Sequence, residues 1–328
     1  MHRIALEEHF MAPEGEAYFR STATNISSDL FARALSALSD FGERRLAAMD
    51  EAKTSFAVLS LAGPGVQIEP DINVAVRCAW SINDGLASRI AERPERFGGF
   101  AHLALQDPRA AADELERCVT ELGFQGALIN GNTLGVYLDD PRFDVVWERA
   151  AGLGAPLYLH PGNPIDRPAM YEGRPELWGP MWSWGVETAT HALRIVASGV
   201  FDRHPAASLI LGHMGEALPA QLWRLDSRWD IANKGERRLS APPSSYFKRN
   251  IAVTTSGVCA NAPLLCALSA LGEDRVMFSI DYPFEQSAAA GHFMDAAPVG
   301  PDIRAKIEHA NAERLLAFRP KGPDRRMP

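Results

Sequence analysis

Eight short apolar runs rich in strand-forming residues recur along the chain, and a helical pattern follows each one. The runs cover 3–6, 55–61, 97–105, 126–129, 156–159, 208–211, 251–255 and 276–280. Helical periodicity lies over 46–53, 72–93, 108–122, 140–153, 187–201, 219–233, 262–271 and 301–318. Strands joined through helices pair in parallel by right-handed crossovers, and eight such units close into a (β/α)8 barrel. The rival is an open doubly wound sheet, which uses fewer strands and usually a glycine-rich first turn that this chain lacks. A length of 328 residues suits one barrel with insertions, since the bare fold takes about 250. We expect a single catalytic domain over 1–318 and a disordered, proline-rich charged tail over 319–328.

Two long excursions, 11–41 and 164–186, leave what would be the C-terminal ends of strands, where barrels build their active sites. The second carries Met170, Trp178, Met181, Trp182 and Trp184. Such an apolar set can wall or cover a pocket, and it can equally form a subunit interface. Both uses stay open.

The chemistry-bearing residues sit where runs stop. Glu7 and His9 are two apart on the first run, so they share a face that points inward, while Glu8 points outward. His160 follows Leu-Tyr-Leu and precedes a rigid Pro-Gly-Asn-Pro loop. His213 lies in Leu-Gly-His-Met-Gly-Glu, with Glu216 placed to orient it or to favour a helix N-terminus. Asp281 ends the last run and can ligate a metal or shuttle protons. Carboxylates and imidazoles converging on one barrel mouth suit a divalent cation. Arg224 and Asn130 are the candidate substrate-binding side chains, Arg224 being equally suited to a salt bridge. His191 reads as a packed core residue and His102 as structural. His204 falls in a turn before Pro205, and His2, His292 and His309 read as surface or interface positions.

A net charge of −8 and a pI near 5.6 disfavour nucleic acid as a partner. Cys78, Cys118, Cys259 and Cys266 form no CxxC pair and match no zinc module, as expected of buried thiols in a reducing compartment. No basic-then-apolar leader opens the chain, and no apolar run approaches the ~18 residues of a membrane span. We expect a cytoplasmic protein with no membrane partner.

The segments ALEEHF (5–10), GFQGALINGN (123–132), PLYLHPGNP (156–164), LGHMGEALPAQLWRLD (211–226) and FSIDYPFE (278–285) together resemble the decarboxylase branch of the amidohydrolase superfamily, nearest to the γ-resorcylate and 2,3-dihydroxybenzoate decarboxylases. The resemblance spans about 3–318. It implies one divalent ion, Zn2+ or Mn2+, held by Glu7, His9, His160 and Asp281. It implies that His213 and Glu216 act on the substrate, that Arg224 helps position it, and that the assembly is a homodimer or homotetramer. Hydrolytic members often carry HxH on the first strand and a bridging lysine on the fourth. Here those positions read Glu7-Glu8-His9 and Leu128-Ile129-Asn130, which favours one metal over two. Trp229, where γ-resorcylate enzymes carry Asn, and the 11–41 excursion both depart from the branch pattern.

The reaction expected is reversible, nonoxidative decarboxylation of a small hydroxybenzoate-type aromatic acid, with Asp281 protonating the ring carbon and His213 with Glu216 steadying the ring oxygen. Two other uses of the same residues stay open: metal-dependent hydrolysis of a cyclic ester or amide, and a noncatalytic binding barrel.

Overall fold

The computed structural model describes residues 2–22, 27–235 and 239–316; the tail expected over 319–328 lies outside them. Eight strands form one sheet in chain order: β1 Arg3–Phe10, β2 Thr54–Leu61, β3 Phe97–Ala101, β4 Gly126–Asn130, β5 Leu157–His160, β6 Leu209–Leu211, β7 Ile251–Thr254 and β8 Val276–Met277. Every neighbouring pair is parallel. The ring closes just beyond β8, where Asp281 N donates to Glu7 O at 3.0 Å and His9 N donates to Tyr282 O at 2.8 Å. The (β/α)8 barrel expected from the sequence is the fold observed.

Alternation along the strands sorts the core into two layers. Ile4, Leu6, Phe56, Val58, Phe100, Leu128, Tyr158, Ile210, Ala252 and Met277 fill the lumen, closed at one end by Ala312 and Leu316. Ala5, Ala57, Leu59, Ile129, Leu157, Leu159, Leu211 and Val253 face the surrounding helices. Strict alternation would put Glu7 with Ala5 on the helix side. It does not, because the β1–β2 register slips between Ala5 and Glu8: three steps along β1 match two along β2, from Ala57 to Leu59. This bulge reverses which side chains face inward, and bulges commonly re-aim side chains beside active sites. Glu7 and His9 therefore stand above Leu6 inside the barrel.

Several elements differ from the sequence expectation. β1 runs on through Glu7-Glu8-His9 because all three are buried. β8 is shorter than 276–280 because Phe278 N donates to Ile307 O and Ser279 N to the Thr255 hydroxyl, leaving ordinary ladder pairing. Glu8 does point away from Glu7, yet it is buried, accepting from Ile280 N at 3.0 Å and Ser279 Oγ at 3.2 Å. Burial pushes its carboxyl up to about 8. The 11–41 excursion holds two helices, Pro13–Thr22 and Ser28–Leu38, clasped by Phe19 stacking on Phe31 at 5.2 Å. Helices Pro243–Asn250 and Ser287–Ala296 also lie outside the expected set. The 301–318 stretch is interrupted by a π-helical turn, Lys306–Ala310. Of the cysteines, only Cys118 is fully buried, Cys259 is exposed, and all four are free. No helix among the described residues is long and apolar enough to cross a membrane.

Candidate metal centre

Four side chains converge above the apolar lumen. Glu7, His9, His160 and Asp281 each place one donor atom within 4.8 Å of all the others. His9 Nε2 is 3.2 Å from Asp281 Oδ1, and His160 Nε2 is 3.5 Å from Glu7 Oε1. They come from β1, β5 and the segment after β8, so only the closed barrel brings them together.

The donors are oriented from behind. His160 Nδ1 donates to Pro161 O at 2.9 Å, which leaves the Nε2 lone pair aimed at the cluster. Ser60 Oγ lies 3.1 Å from His9 Nδ1 and does the same for that ring. The two imidazoles meet edge to face at 4.7 Å. Ser279 Oγ accepts from Glu7 N at 2.6 Å and fixes the backbone there. Gly212 gives Glu7 its room: a Cβ at that position would fall 2.5 Å from Glu7 Oε2.

Three buried atoms of this cluster, Glu7 Oε1, His9 Nε2 and Asp281 Oδ1, have no hydrogen-bond partner. Leaving such atoms unpaired away from water is costly. Two imidazole nitrogens and two carboxylate oxygens facing one point make a donor set for Zn2+ or Mn2+. The residues fit a single divalent cation.

His213 stands beside this set. Its Nε2 is 3.5 Å from Asp281 Oδ2 and 3.9 Å from Glu7 Oε1, while its Nδ1 is 2.8 Å from Glu216 Oε1. His213, Met214, Gly215, Glu216 and Ala217 all have positive φ, between 49° and 78°. They form one left-handed turn, so of the two roles open to Glu216 the structure shows the contact with His213 and not a place in a regular helix N-terminus. For the four non-glycine residues this costs roughly 1–2 kcal/mol each, and strain of this kind concentrates at functional sites. Gly257, at φ 63°, passes so close that a Cβ there would lie 2.7 Å from His213 Cδ2.

Electrostatics follow the geometry. Burial raises the Glu7 carboxyl above its ordinary range, against the pull of His213. Burial is the largest single influence on Asp281 and acts upward, but the imidazoles of His213 and His9 close beside it outweigh burial and hold the carboxyl low. Burial lowers the His160 imidazole. For His213 burial is the largest single influence and acts downward. Glu7, Asp281 and Glu216 together overcome it and keep the ring well above its usual value.

The substrate-binding candidates divide. Asn130 is buried at the end of β4, its Nδ2 3.4 Å from Leu61 O and its Oδ1 without a hydrogen-bond partner. Arg224 is exposed on the helix Leu222–Ala232, and among the described residues no hydrogen bond or ion pair ties its guanidinium to the cluster. Asp226 caps the next helix through Ser244 N and Oγ. His102 and His191 are structural as expected, accepting from Val66 N and Leu138 N. The 164–186 segment has one tryptophan beside the cluster and several apolar side chains facing outward. Trp184 donates to Asn163 Oδ1 at 2.9 Å and sets its ring 6.5 Å from His160, while Met170, Met181 and Trp182 are 64%, 70% and 57% exposed. Sequence reasoning missed Ser60, Tyr158 and Thr254 behind the ligands. The signal for Tyr158 was present, two residues before His160 on the same strand face.

The amidohydrolase family model matches residues 32–318. A γ-resorcylate decarboxylase of Rhodococcus jostii is 44% identical over 96% of this chain and 98% of its own. A crystal structure of 2,6-dihydroxybenzoate decarboxylase complexed with 2,6-dihydroxybenzoate superposes with a TM-score of 0.90 at 40% identity, covering 97% of this chain and 100% of that one. A dihydroxybenzoic acid decarboxylase from Polaromonas sp. JS666, with bound manganese and the inhibitor 2-nitroresorcinol, gives 0.91 at 40% identity over 96% and 97%. With a barrel of the same shape and sequence similarity over nearly its whole length, the chain belongs to the amidohydrolase family, in the branch that holds the γ-resorcylate decarboxylases.

Proposed function

We propose that this chain is a metal-dependent, nonoxidative decarboxylase of ortho-hydroxylated benzoates such as 2,6-dihydroxybenzoate. The observation that carries the reading is the meeting of Glu7, His9, His160 and Asp281 around one point, with the His213–Glu216 pair alongside. The four would hold one divalent ion, Zn2+ or Mn2+, and the manganese in the Polaromonas relative supports Mn2+. When bound, the ion supplies Lewis-acid polarisation of the substrate's carboxylate and ortho-hydroxyl oxygens.

The chain's own residues do the rest. Asp281 Oδ2, facing His213 Nε2 at 3.5 Å, carries a proton to the ring carbon that bears the carboxylate. That carbon becomes tetrahedral, its bond to the carboxyl carbon breaks, carbon dioxide leaves, and the electron pair restores the aromatic ring. His213 returns a proton to Asp281 and regains its own from water. Glu216, on Nδ1, keeps the ring turned to Asp281 and steadies its positive charge. Asn130 binds a ring oxygen from β4, and Arg224 assists from the rim. Trp184 and Phe284, whose ring is 5.7 Å from His9, wall the aromatic substrate. In this reading 1–318 act as one catalytic domain. Exposed Met170, Met181 and Trp182 support a homodimer or homotetramer, and free cysteines support a cytoplasmic setting.

The test is a panel of hydroxybenzoates given to the manganese-loaded protein, with phenol and carbon dioxide measured. Equal release of both from a 2-hydroxylated acid is expected, and carboxylation of the phenol at high bicarbonate. Asp281→Asn is expected to lose at least ~10^3 in rate. Ring-opened acid from lactones, with no carbon dioxide from any benzoate, would replace this reading with hydrolysis.

A further inference from the structure

Tyr158 is fully buried in the barrel lumen, two residues before His160 on β5. Its hydroxyl bonds to Glu7 Oε2 and lies 2.8 Å from Thr254 Oγ1 on β7. An ionised Glu7 can only accept, so Tyr158 donates to it, and the phenolic oxygen in turn accepts from Thr254. The two oxygens of Glu7 are thereby given different tasks. Oε2 is held by Tyr158 under Gly212, where not even a methyl group would fit. Oε1 is left without a hydrogen bond, facing His160 Nε2 at 3.5 Å and His213 Nε2 at 3.9 Å.

We infer that Tyr158, aligned by Thr254, is a positioning residue that locks Glu7 into one-oxygen coordination and so sets both the affinity and the ion selectivity of the site. The inference rests on the reading of Glu7 as a metal ligand. A carboxylate free to rotate can offer both oxygens, which suits the larger Ca2+ with its longer bonds and higher coordination number. A carboxylate tied through one oxygen offers a single short-range donor, which suits Mn2+ or Zn2+ beside two imidazoles. Tyr158 stands outside the four-residue cluster, and three strands, β1, β5 and β7, are drawn into one relay by its hydroxyl.

The test measures Mn2+ and Ca2+ affinity of the full chain by competition with a fluorescent chelator, for the native protein, Glu7→Gln and Tyr158→Phe. Loss of Mn2+ binding in Glu7→Gln establishes the ligand reading, and equal affinity in native protein and Glu7→Gln removes it together with this inference. Tyr158→Phe keeps the ring and its packing and loses only the hydroxyl. We expect Mn2+ to bind about 10–100-fold more weakly, with the Mn2+/Ca2+ preference narrowed and kcat at saturating Mn2+ largely kept. Mn2+ affinity within about twofold of native and an unchanged preference, while Glu7→Gln is deficient, would overturn the inference and leave the ligand reading standing. Should Tyr158→Phe not fold, Thr254→Val decides: a narrowed preference supports the relay, and an unaltered one overturns it.

Discussion

His213 Nδ1 and Glu216 Oε1 are 2.8 Å apart within a single left-handed turn, so the strained backbone and the hydrogen bond hold each other in place. Neither residue belongs to the four-ligand set. Glu216→Gln should therefore keep manganese content while lowering kcat by about 10^2 or more, because the His213 ring loses the charge that stabilises its protonated form. Turnover within twofold of native at full metal content would remove the pair from the chemistry.

Metal removal should cost stability as well as activity. An ion that binds the closed barrel and not the unfolded chain adds about 2.7 kcal/mol at a concentration of 100 Kd. Dialysis against a chelator is expected to abolish decarboxylation and lower Tm, and added Mn2+ to restore both. Glu7→Gln should show no Mn2+-dependent rise in Tm. A Tm in the native chain indifferent to Mn2+ would contradict the site.

Gly212→Ala should disable the centre from a distance. The added methyl would sit 2.5 Å from Glu7 Oε2 and must push the carboxylate aside. Mn2+ affinity should fall at least about tenfold. Gly300→Ala is the control, since a Cβ there meets nothing within 4 Å. Equal affinity in the two variants would show that Glu7 has space to spare.

Acid should unfold the protein partly through two histidines remote from the ligands. Burial holds His102 and His191 down at about 3. An unfolded histidine titrates near 6.5. Above that pH both states are neutral at these sites and they add no pH dependence. Below it the unfolded chain takes up protons that the folded chain refuses, so stability falls as pH drops from about 6.5 towards 3. Between pH 7 and pH 5 each site should account for about 2 kcal/mol of loss. His191→Gln, which keeps an acceptor for Leu138 N, should be weaker than native at pH 7 but lose less on going to pH 5, as urea midpoints will report. Parallel losses in native and variant would refute the assignment.

The barrel was legible because its strands are apolar and its crossovers are amphipathic, two periods that read independently. The candidate cluster was legible because Glu7, His9, His160 and Asp281 are polar residues placed where apolar runs stop. The same contrast misled at β1, where buried polar side chains hid the continuation of the strand to Phe10. The bulge between Ala5 and Glu8 left no local mark, since it depends on how β2 is registered against β1. The left-handed turn at His213–Ala217 could not be read either: only one of its five residues is glycine, and its conformation is imposed by Glu216 and by neighbours distant in sequence. The helices inside 11–41 carried ordinary signals, with Pro13 followed by Glu14 and Glu16, and Ser27 capping Leu30 N at 3.3 Å. Their polar faces and their lengths of only 10 and 11 residues concealed them among loop-like residues.

The ring of strands is joined by the meeting of residues 7–9 with 281–282, so the first and last strands share a zipper only a few bonds long. A cation shared by Glu7, His9 and Asp281 would act as a clasp across that join, with His160 anchoring it to the opposite wall. Metal loading would then reinforce a closure that the backbone bonds already make. A chain shorn of its first ten residues would keep seven strands and two of its four donors, and it would have nothing left to fasten.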